Sequence, residues 1–260
     1  MKKSFLTLAS LAVLAQGCAT PSRFLSDIYY LKEEPQLVVN NQKGLVTKVH
    51  ASEQEALSQL RRLVRESELE ESWVYVPEEK EWWEVGRYSW VEGYQALSSL
   101  NQPLIEFLAG SYPEVIKYHI HPEKAIAHIF SQLEKDTKEK VSPDVKSVIA
   151  VLPSDSDLYS ALFVTCSVSE FFPGHEVVFK VASPAGITEY TPDIGGIKTI
   201  CAKEGNDRIL AMQFGATYPR LLFDFQNGYV KLVQAQINGS STVLYQDNLF
   251  KFVFTPYGGK

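Results

Sequence analysis

Two histidines, His119 and His121, stand one residue apart near the end of a predicted strand that begins at Glu114. Side chains alternate along a strand, so residues at i and i+2 point to the same side and two imidazoles can face one metal ion. A nearby aspartate would supply a third ligand, and Pro153-Ser154-Asp155-Ser156-Asp157 follows downstream. Imidazole nitrogens and carboxylate oxygens are typical zinc ligands. The spacing therefore indicates a zinc site.

Each half of this pattern also has a simpler explanation. An isolated His-x-His pair can be partly buried and hydrogen-bonded to neighbouring backbone groups. Ser154 and Asp157 have the spacing of a capping box, in which two side chains satisfy free amides at the start of a helix. The residues alone leave metal binding and helix capping open.

Taken together, three segments resemble the JAMM (MPN-plus) metalloproteases: Tyr118-His119-Ile120-His121-Pro122, the Pro-Ser-x-x-Asp sequence, and residues 178–190. The resemblance covers about residues 114–190. It implies a JAMM-like sheet flanked by helices, with zinc bound by His119, His121 and Asp157. The segment between His121 and Ser154 is longer than in that family.

The same resemblance implies catalytic roles for other side chains. Ser154 would support the oxyanion, and an upstream glutamate would act as general base in the hydrolysis of an amide or isopeptide bond. Glu92, which is followed by a glycine near the end of a predicted strand, is the first candidate for this base. Glu84 is the second candidate.

The N-terminus predicts export. Met1-Lys2-Lys3 is a short basic segment, and residues 5–15 form an apolar run that is too short to span a bilayer. Gln16-Gly17-Cys18-Ala19 resembles the lipobox of bacterial lipoproteins, in which the cysteine is lipidated and becomes the mature N-terminus. An ordinary cleaved signal, with Cys18 as a bystander, is the alternative. The lipoprotein interpretation implies a cell-envelope protein held to a membrane, at the periplasmic face or the cell surface, by its acyl chains.

The charge and composition of the chain restrict the classes of partner that it is expected to bind. The chain has 25 basic and 31 acidic residues, and loss of Lys2 and Lys3 with the signal peptide leaves a net charge of −8. Without a basic stripe, the sequence argues against nucleic acid as a partner. A protein or peptide remains as substrate or partner. The second hypothesis is a non-catalytic envelope lipoprotein that binds a partner through its C-terminal third or an aromatic cluster, which comprises Trp82, Trp83, Tyr88 and Trp90.

The periodicities predict one mixed α/β (α+β) domain at residues 46–260, after a signal peptide at 1–17 and a tether at 18–45 that contains one short strand at 37–39. Its JAMM-like core spans about 72–200 and a β-rich part about 201–260. Helices are predicted at about 52–70, 103–109, 123–140 and 154–171, and strands at 73–77, 82–90, 114–121, 145–152, 176–182 and 187–190.

Three further features complete the prediction. The charged run at 66–71 is interpreted as a solvated helix end. Asn238-Gly239 predicts a hairpin between strands at 229–237 and 241–245, followed by an edge strand at 250–254. Cys166 and Cys201 could pair in an exported protein, but Cys166 lies in an apolar run that could equally bury a free thiol.

Overall fold

A computed structural model describes residues 28–31, 36–39, 42–45, 47–68, 70–89, 94–96, 98–193, 195, 201 and 224–258. Its helices are α1 (Glu53–Glu66), α2 (Ser98–Ser111), α3 (Glu123–Thr137), α4 (Pro143–Val151), α5 (Asp155–Phe171) and α6 (Phe225–Asn238). Its strands are β1 (Ile28–Leu31), β2 (Gln36–Val39), β3 (Gln42–Leu45), β4 (Thr47–His50), β5 (Glu70–Val76), β6 (Glu81–Ser89), β7 (Tyr94–Ala96), β8 (Glu114–Ile120), β9 (Glu176–Ala182), β10 (Gly186–Glu189), β11 (Thr242–Gln246) and β12 (Lys251–Pro256). The predicted mixed α/β class is confirmed.

The main sheet is mixed. Its strands follow the order β11-β12-β10-β9-β8-β5-β6-β4, and β7 pairs with β6. Neighbouring strands are antiparallel except β8 and β9, which run parallel. Strands β1, β2 and β3 form a separate three-stranded sheet, so the segment predicted as a tether with one short strand contains three. Strand β8 lies inside the main sheet, with neighbours on both edges.

Helices cover both faces of this sheet, because the apolar side chains of its central strands alternate between two cores. On one face, Leu60 and Val64 of α1 pack with Tyr75, Trp82 and Tyr118. The other face packs against α2, α4, α5 and α6, whose buried contributors include Leu108, Val148, Leu162 and Leu232. The result is a three-layer arrangement, and the face carrying the second core also carries His119 and His121.

Two helices begin with the capping boxes predicted from the sequence. The Ser52 side chain accepts from the backbone N–H of Glu55, whose carboxylate accepts from the Ser52 N–H. Ser154 and Asp157 make the same reciprocal pair at the start of α5. Such pairs satisfy amides that the first helical turn leaves free.

The strand predicted at 145–152 is wrong, because this segment forms α4. Ser142 caps it by accepting from the Val145 N–H at 3.3 Å, and Pro143 occupies the first turn, where its missing N–H costs nothing. Val148 and Val151 are buried at helical spacing. A short apolar run fits either a buried strand or a buried helix, and here the cap decides.

The predicted hairpin around Asn238-Gly239 is also wrong. The segment at 229–237 belongs to α6, which Asp224 caps by accepting from two backbone amides. Gly239 follows the helix with φ at 61°, the left-handed conformation that ends many helices and that glycine adopts without strain. Strand β12 lies between β10 and β11, so it is not an edge strand as predicted. The described C-terminal part is one helix and two strands rather than mostly β.

Cys166 and Cys201 form a disulfide, which settles the question that the sequence left open. The bond joins α5 to a residue 35 positions later in the chain.

Candidate metal site

Strands β5 and β8 bring the site together. They pair antiparallel, with Ser72 opposite His119, so the same register places Glu70 opposite His121. Residues opposite one another on antiparallel strands share a face, and each strand repeats that face every second residue. Glu70, Ser72, His119 and His121 therefore project from one face of the sheet, toward the core that contains α4 and α5.

Glu70, His119 and His121 form a compact group of ligand atoms. One carboxylate oxygen and two imidazole nitrogens, one atom from each residue, all lie within 4.8 Å of one another. Glu70 Oε2 is 3.5 Å from His119 Nε2. Their side chains are 11% and 16% exposed, so the group is largely shielded from solvent. This buried group could bind a metal ion.

Helix α4 orients His121. The Nδ1 atom of His121 is 3.1 Å from the carbonyl oxygen of Ala150 in the last turn of that helix. A carbonyl only accepts, so Nδ1 carries the proton and Nε2 keeps its lone pair in the neutral ring. Burial, and then the neighbouring charge of His119, lower the pKa of His121 and favour that neutral form. The backbone N–H of His121 donates to the Ala182 carbonyl at 2.8 Å, which extends the β8–β9 pairing.

Helix α5 holds His119 from the other side. His119 Nδ1 is 3.2 Å from Asp157 Oδ1. Burial disfavours a charge on this imidazole, but Asp157 and Glu70 outweigh it and raise the pKa of His119. A histidine nitrogen that binds a metal is commonly fixed by a carboxylate on the opposite nitrogen, and Asp157 stands where such a carboxylate would be.

Asp157 also completes the cap of its own helix. Its Oδ2 accepts from the Ser154 N–H at 2.9 Å and from the Ser154 hydroxyl at 2.5 Å. Burial alone would raise the pKa of Asp157, yet His119 and Lys117 hold the pKa far below its ordinary value. The carboxylate is thus ionised and engaged by the helix start with one oxygen and by His119 with the other.

The sequence predicts His119, His121 and Asp157 as metal ligands. The structure brings the two histidines together and places Glu70 with them. Asp157 reaches His119 but is not among the three residues whose ligand atoms cluster. Its ligand role stays a prediction, as does the oxyanion role of Ser154, whose contacts are those of a helix cap. Cys18 and Glu92 lie outside the described residues.

The second candidate for the general base, Glu84, is on the wrong side of the sheet. It lies opposite Trp73, which pairs with Tyr118, and this row belongs to the face covered by α1. His119 follows Tyr118 and points the other way. A full sheet layer separates Glu84 from the histidines, so it cannot act as a base there.

Glu70 was not among the residues predicted for the site. The charged run at 66–71 was expected to be a solvated helix end, but α1 ends at Glu66 and β5 begins at Glu70. Glu70 is only 9% exposed. One signal was available in the sequence: Glu70, Ser72 and Val74 share one side of a period-2 alternation whose other side carries Trp73 and Tyr75. Assigning Glu70 to the site still requires the β5–β8 register.

Lys117 is a further buried charge beside the site. It precedes His119 by two residues, shares its face and is 3% exposed. Burial lowers the pKa of its ammonium group, an effect that Asp157 partly offsets. Its Nζ lies 6.0 Å from the centre of the Phe179 ring. The lysine adds positive charge near Asp157 and so helps to keep that carboxylate ionised.

Two of the four residues of the aromatic cluster, Trp82 and Trp83, belong to the core. Trp82 and Trp83 are each 3% exposed and pack on opposite faces of the sheet, so neither offers a binding surface. Trp90 lies outside the described residues.

Comparison with known proteins adds no identification: no family model, no curated protein and no solved structure matches this chain. Within the described part of the chain, none of the helices has the length and apolar character needed to cross a bilayer.

Proposed function

We propose that this protein is a zinc-dependent hydrolase of amide or isopeptide bonds, anchored in the bacterial cell envelope as a lipoprotein. The observation that carries the proposal is the buried group of Glu70, His119 and His121. Two histidines and a glutamate are the ligand set of several zinc peptidases, and three protein ligands leave a fourth position open. Zinc in such a site lowers the pKa of water and polarises a carbonyl group.

The donor set fits zinc in chemistry and size. Tetrahedral ligand atoms at about 2.0–2.2 Å from zinc lie about 3.3–3.6 Å apart, so atoms at most 4.8 Å apart need to approach one another by no more than about 1.5 Å. The lone pair on His121 Nε2 is free because Nδ1 faces the Ala150 carbonyl. For His119, Asp157 on Nδ1 leaves Nε2, which faces Glu70, as the ligand nitrogen.

The other residues have supporting roles in this proposal. Asp157 and the Ala150 carbonyl fix the orientation and tautomer of the two imidazoles, and Ser154 fixes Asp157. Glu92 remains the predicted proton acceptor, and JAMM-like chemistry assigns Ser154 to the oxyanion as well. Both assignments rest on the sequence resemblance.

Two observations support the envelope location. The first is the lipobox-like sequence ending at Cys18. The second is the Cys166–Cys201 disulfide, since such bonds persist in oxidising compartments such as the periplasm. Expression of Cys18→Ser in bacteria grown with labelled palmitate tests the anchor. We expect an unlabelled, unprocessed precursor, and a variant that is still processed and lipid-labelled would contradict the proposal.

Metal analysis tests the site. The purified wild-type protein should carry or take up about one zinc ion per chain, and the double variant His119→Ala/His121→Ala should lose it. His128→Ala is the matched control, because His128 is exposed on α3 and is not a member of the group. Loss of peptide hydrolysis should follow the loss of zinc across these variants. A wild-type protein that takes up no added zinc would rule out the hydrolase.

A second function, a non-catalytic binding lipoprotein, is favoured by one observation. Both ring nitrogens of His119 face carboxylates, Glu70 at 3.5 Å and Asp157 at 3.2 Å. A protonated His119 would bridge these two acids and satisfy the buried network without any metal. Uptake of added zinc by the wild-type protein distinguishes the two functions.

A further inference from the structure

A cavity of about 300 Å³ lies beside the candidate metal site. Its walls come from the start of α3, from α4, from the turn between β9 and β10, and from α6. Ile126, Pro184, Ala185, Leu232 and Val233 make most of its lining apolar. This volume is at the lower end of ligand-binding pockets and suits one large side chain rather than a cofactor.

Two residues connect this cavity to the histidines. Ala150 lines the cavity, and its carbonyl oxygen contacts His121 Nδ1 at 3.1 Å. Glu123, which also lines it, follows His121 by two residues. The cavity wall therefore includes the residue whose carbonyl oxygen orients the His121 ring.

The apolar surface continues from the cavity along α6. Val230, Val233 and Ile237 are spaced i, i+3 and i+7, which places them on one side of the helix. Val233 lines the cavity, while Val230 is 50% and Ile237 77% exposed. Large apolar side chains exposed in a row are typical of surfaces that contact another chain. The row indicates a ligand longer than one residue.

The charge at the cavity restricts which ligand groups it would bind. Among the described residues that line the cavity, Glu123 alone is charged, and it is exposed. A carboxylate beside an apolar pocket favours a cationic neighbour and repels an anionic one.

We propose that this cavity is the substrate pocket of the hydrolase, and that it receives an apolar side chain of a polypeptide whose next residue is lysine or arginine. The apolar side chain fills the space between α4 and α6, and the cation faces Glu123. The peptide continues along Val230 and Ile237. This assignment rests on the proposed hydrolytic function, because it gives the pocket its substrate.

Binding of three synthetic peptides tests the pocket separately from catalysis. The peptides are fluorescent glycine–serine hexamers that differ only in a central pair, Leu-Lys, Leu-Glu or Gly-Lys. Fluorescence anisotropy with the purified protein, with EDTA and with added zinc, gives the Kd of each. We expect the Leu-Lys peptide to bind at least tenfold more tightly than the other two in both conditions.

A matched pair of variants locates the binding. Val233→Glu places a carboxylate in the pocket, whereas Gln234→Glu adds the same charge at the neighbouring exposed position of α6. Val233→Glu should weaken the Leu-Lys peptide at least tenfold and Gln234→Glu should leave it unchanged. Equal binding of the three peptides, or equal effects of the two variants, would overturn the pocket even if zinc binds normally. Pocket-specific peptide binding by a protein that takes up no zinc would support the pocket while refuting hydrolysis.

Discussion

Replacing Glu70 by glutamine tests the central feature of the site, the identity of its third metal ligand. The substitution keeps the volume of the side chain and one oxygen, but removes the only negative charge in the group of Glu70, His119 and His121. Histidines bind metal as neutral rings, so in the proposed site the carboxylate would supply all of the ligand charge.

The size of the effect follows from this role. Losing a residue that merely orients a ligand typically costs about 10–100-fold in metal affinity. Glu70 lies within 4.8 Å of both histidine nitrogens and would bind the ion directly. We therefore expect Glu70→Gln to weaken zinc binding by at least about 100-fold, which corresponds to roughly 2.8 kcal/mol.

Glu71→Gln provides the control. Glu71 is as buried as Glu70, at 7% against 9%, but it points to the opposite face, where it accepts from Trp73 Nε1 at 2.9 Å. Competition against a chromophoric zinc chelator near neutral pH gives the affinity of each variant, and circular dichroism checks that each is folded. Only Glu70→Gln should lose affinity. Wild-type affinity in Glu70→Gln, together with complete loss in Asp157→Asn, would refute this ligand set and restore Asp157 as the third ligand.

Three other changes have expected outcomes. Asp157→Asn weakens the contact that orients His119, so zinc affinity should fall by about 10–100-fold in the same competition assay, less than for Glu70→Gln; a larger fall would indicate direct ligation. Ser154→Ala removes the cap of α5 and should lower the free energy of unfolding by about 1 kcal/mol, which lowers the melting temperature by about 2–4 °C. An unchanged melting temperature would contradict a stabilising role of this cap. The double variant Cys166→Ser/Cys201→Ser lacks the disulfide, which closes a loop over 35 positions. Its free energy of unfolding in urea should be lower by about 3–4 kcal/mol. This difference must vanish when wild type and variant are compared under reducing conditions.

Local sequence signals predicted much of the fold. Both capping boxes, at Ser52 and at Ser154, mark the starts of α1 and α5. The alternating run that contains His119 is β8, His121 directly follows its last residue, and both imidazoles lie on one face as expected. These features depend on neighbours within a few residues, which is why the sequence suffices for them.

The wrong secondary-structure predictions fall where a local sequence pattern is compatible with either a helix or a strand. The apolar run of α4 has strand-like composition, and only the cap at Ser142 favours a helix. Asn238-Gly239 is a hairpin signal when strands flank it, but the same glycine conformation ends a helix. Glu70 could not be assigned from the sequence for a different reason. Its place in the site depends on the register between β5 and β8, two strands far apart in the chain.

The long segment between His121 and Ser154 weakens the sequence motif, yet in three dimensions it builds the site. Helices α3 and α4 carry the chain away and back, so that Ala150 reaches His121 and the first turn of α5 places Asp157 beside His119. The spacing along the chain is therefore free to vary, provided that the two orienting groups return to the two rings. Ala150 and Glu123 also line the neighbouring cavity. One segment thus fixes a histidine and shapes the proposed pocket, and this couples the orientation of the metal ligands to the walls that would select the substrate.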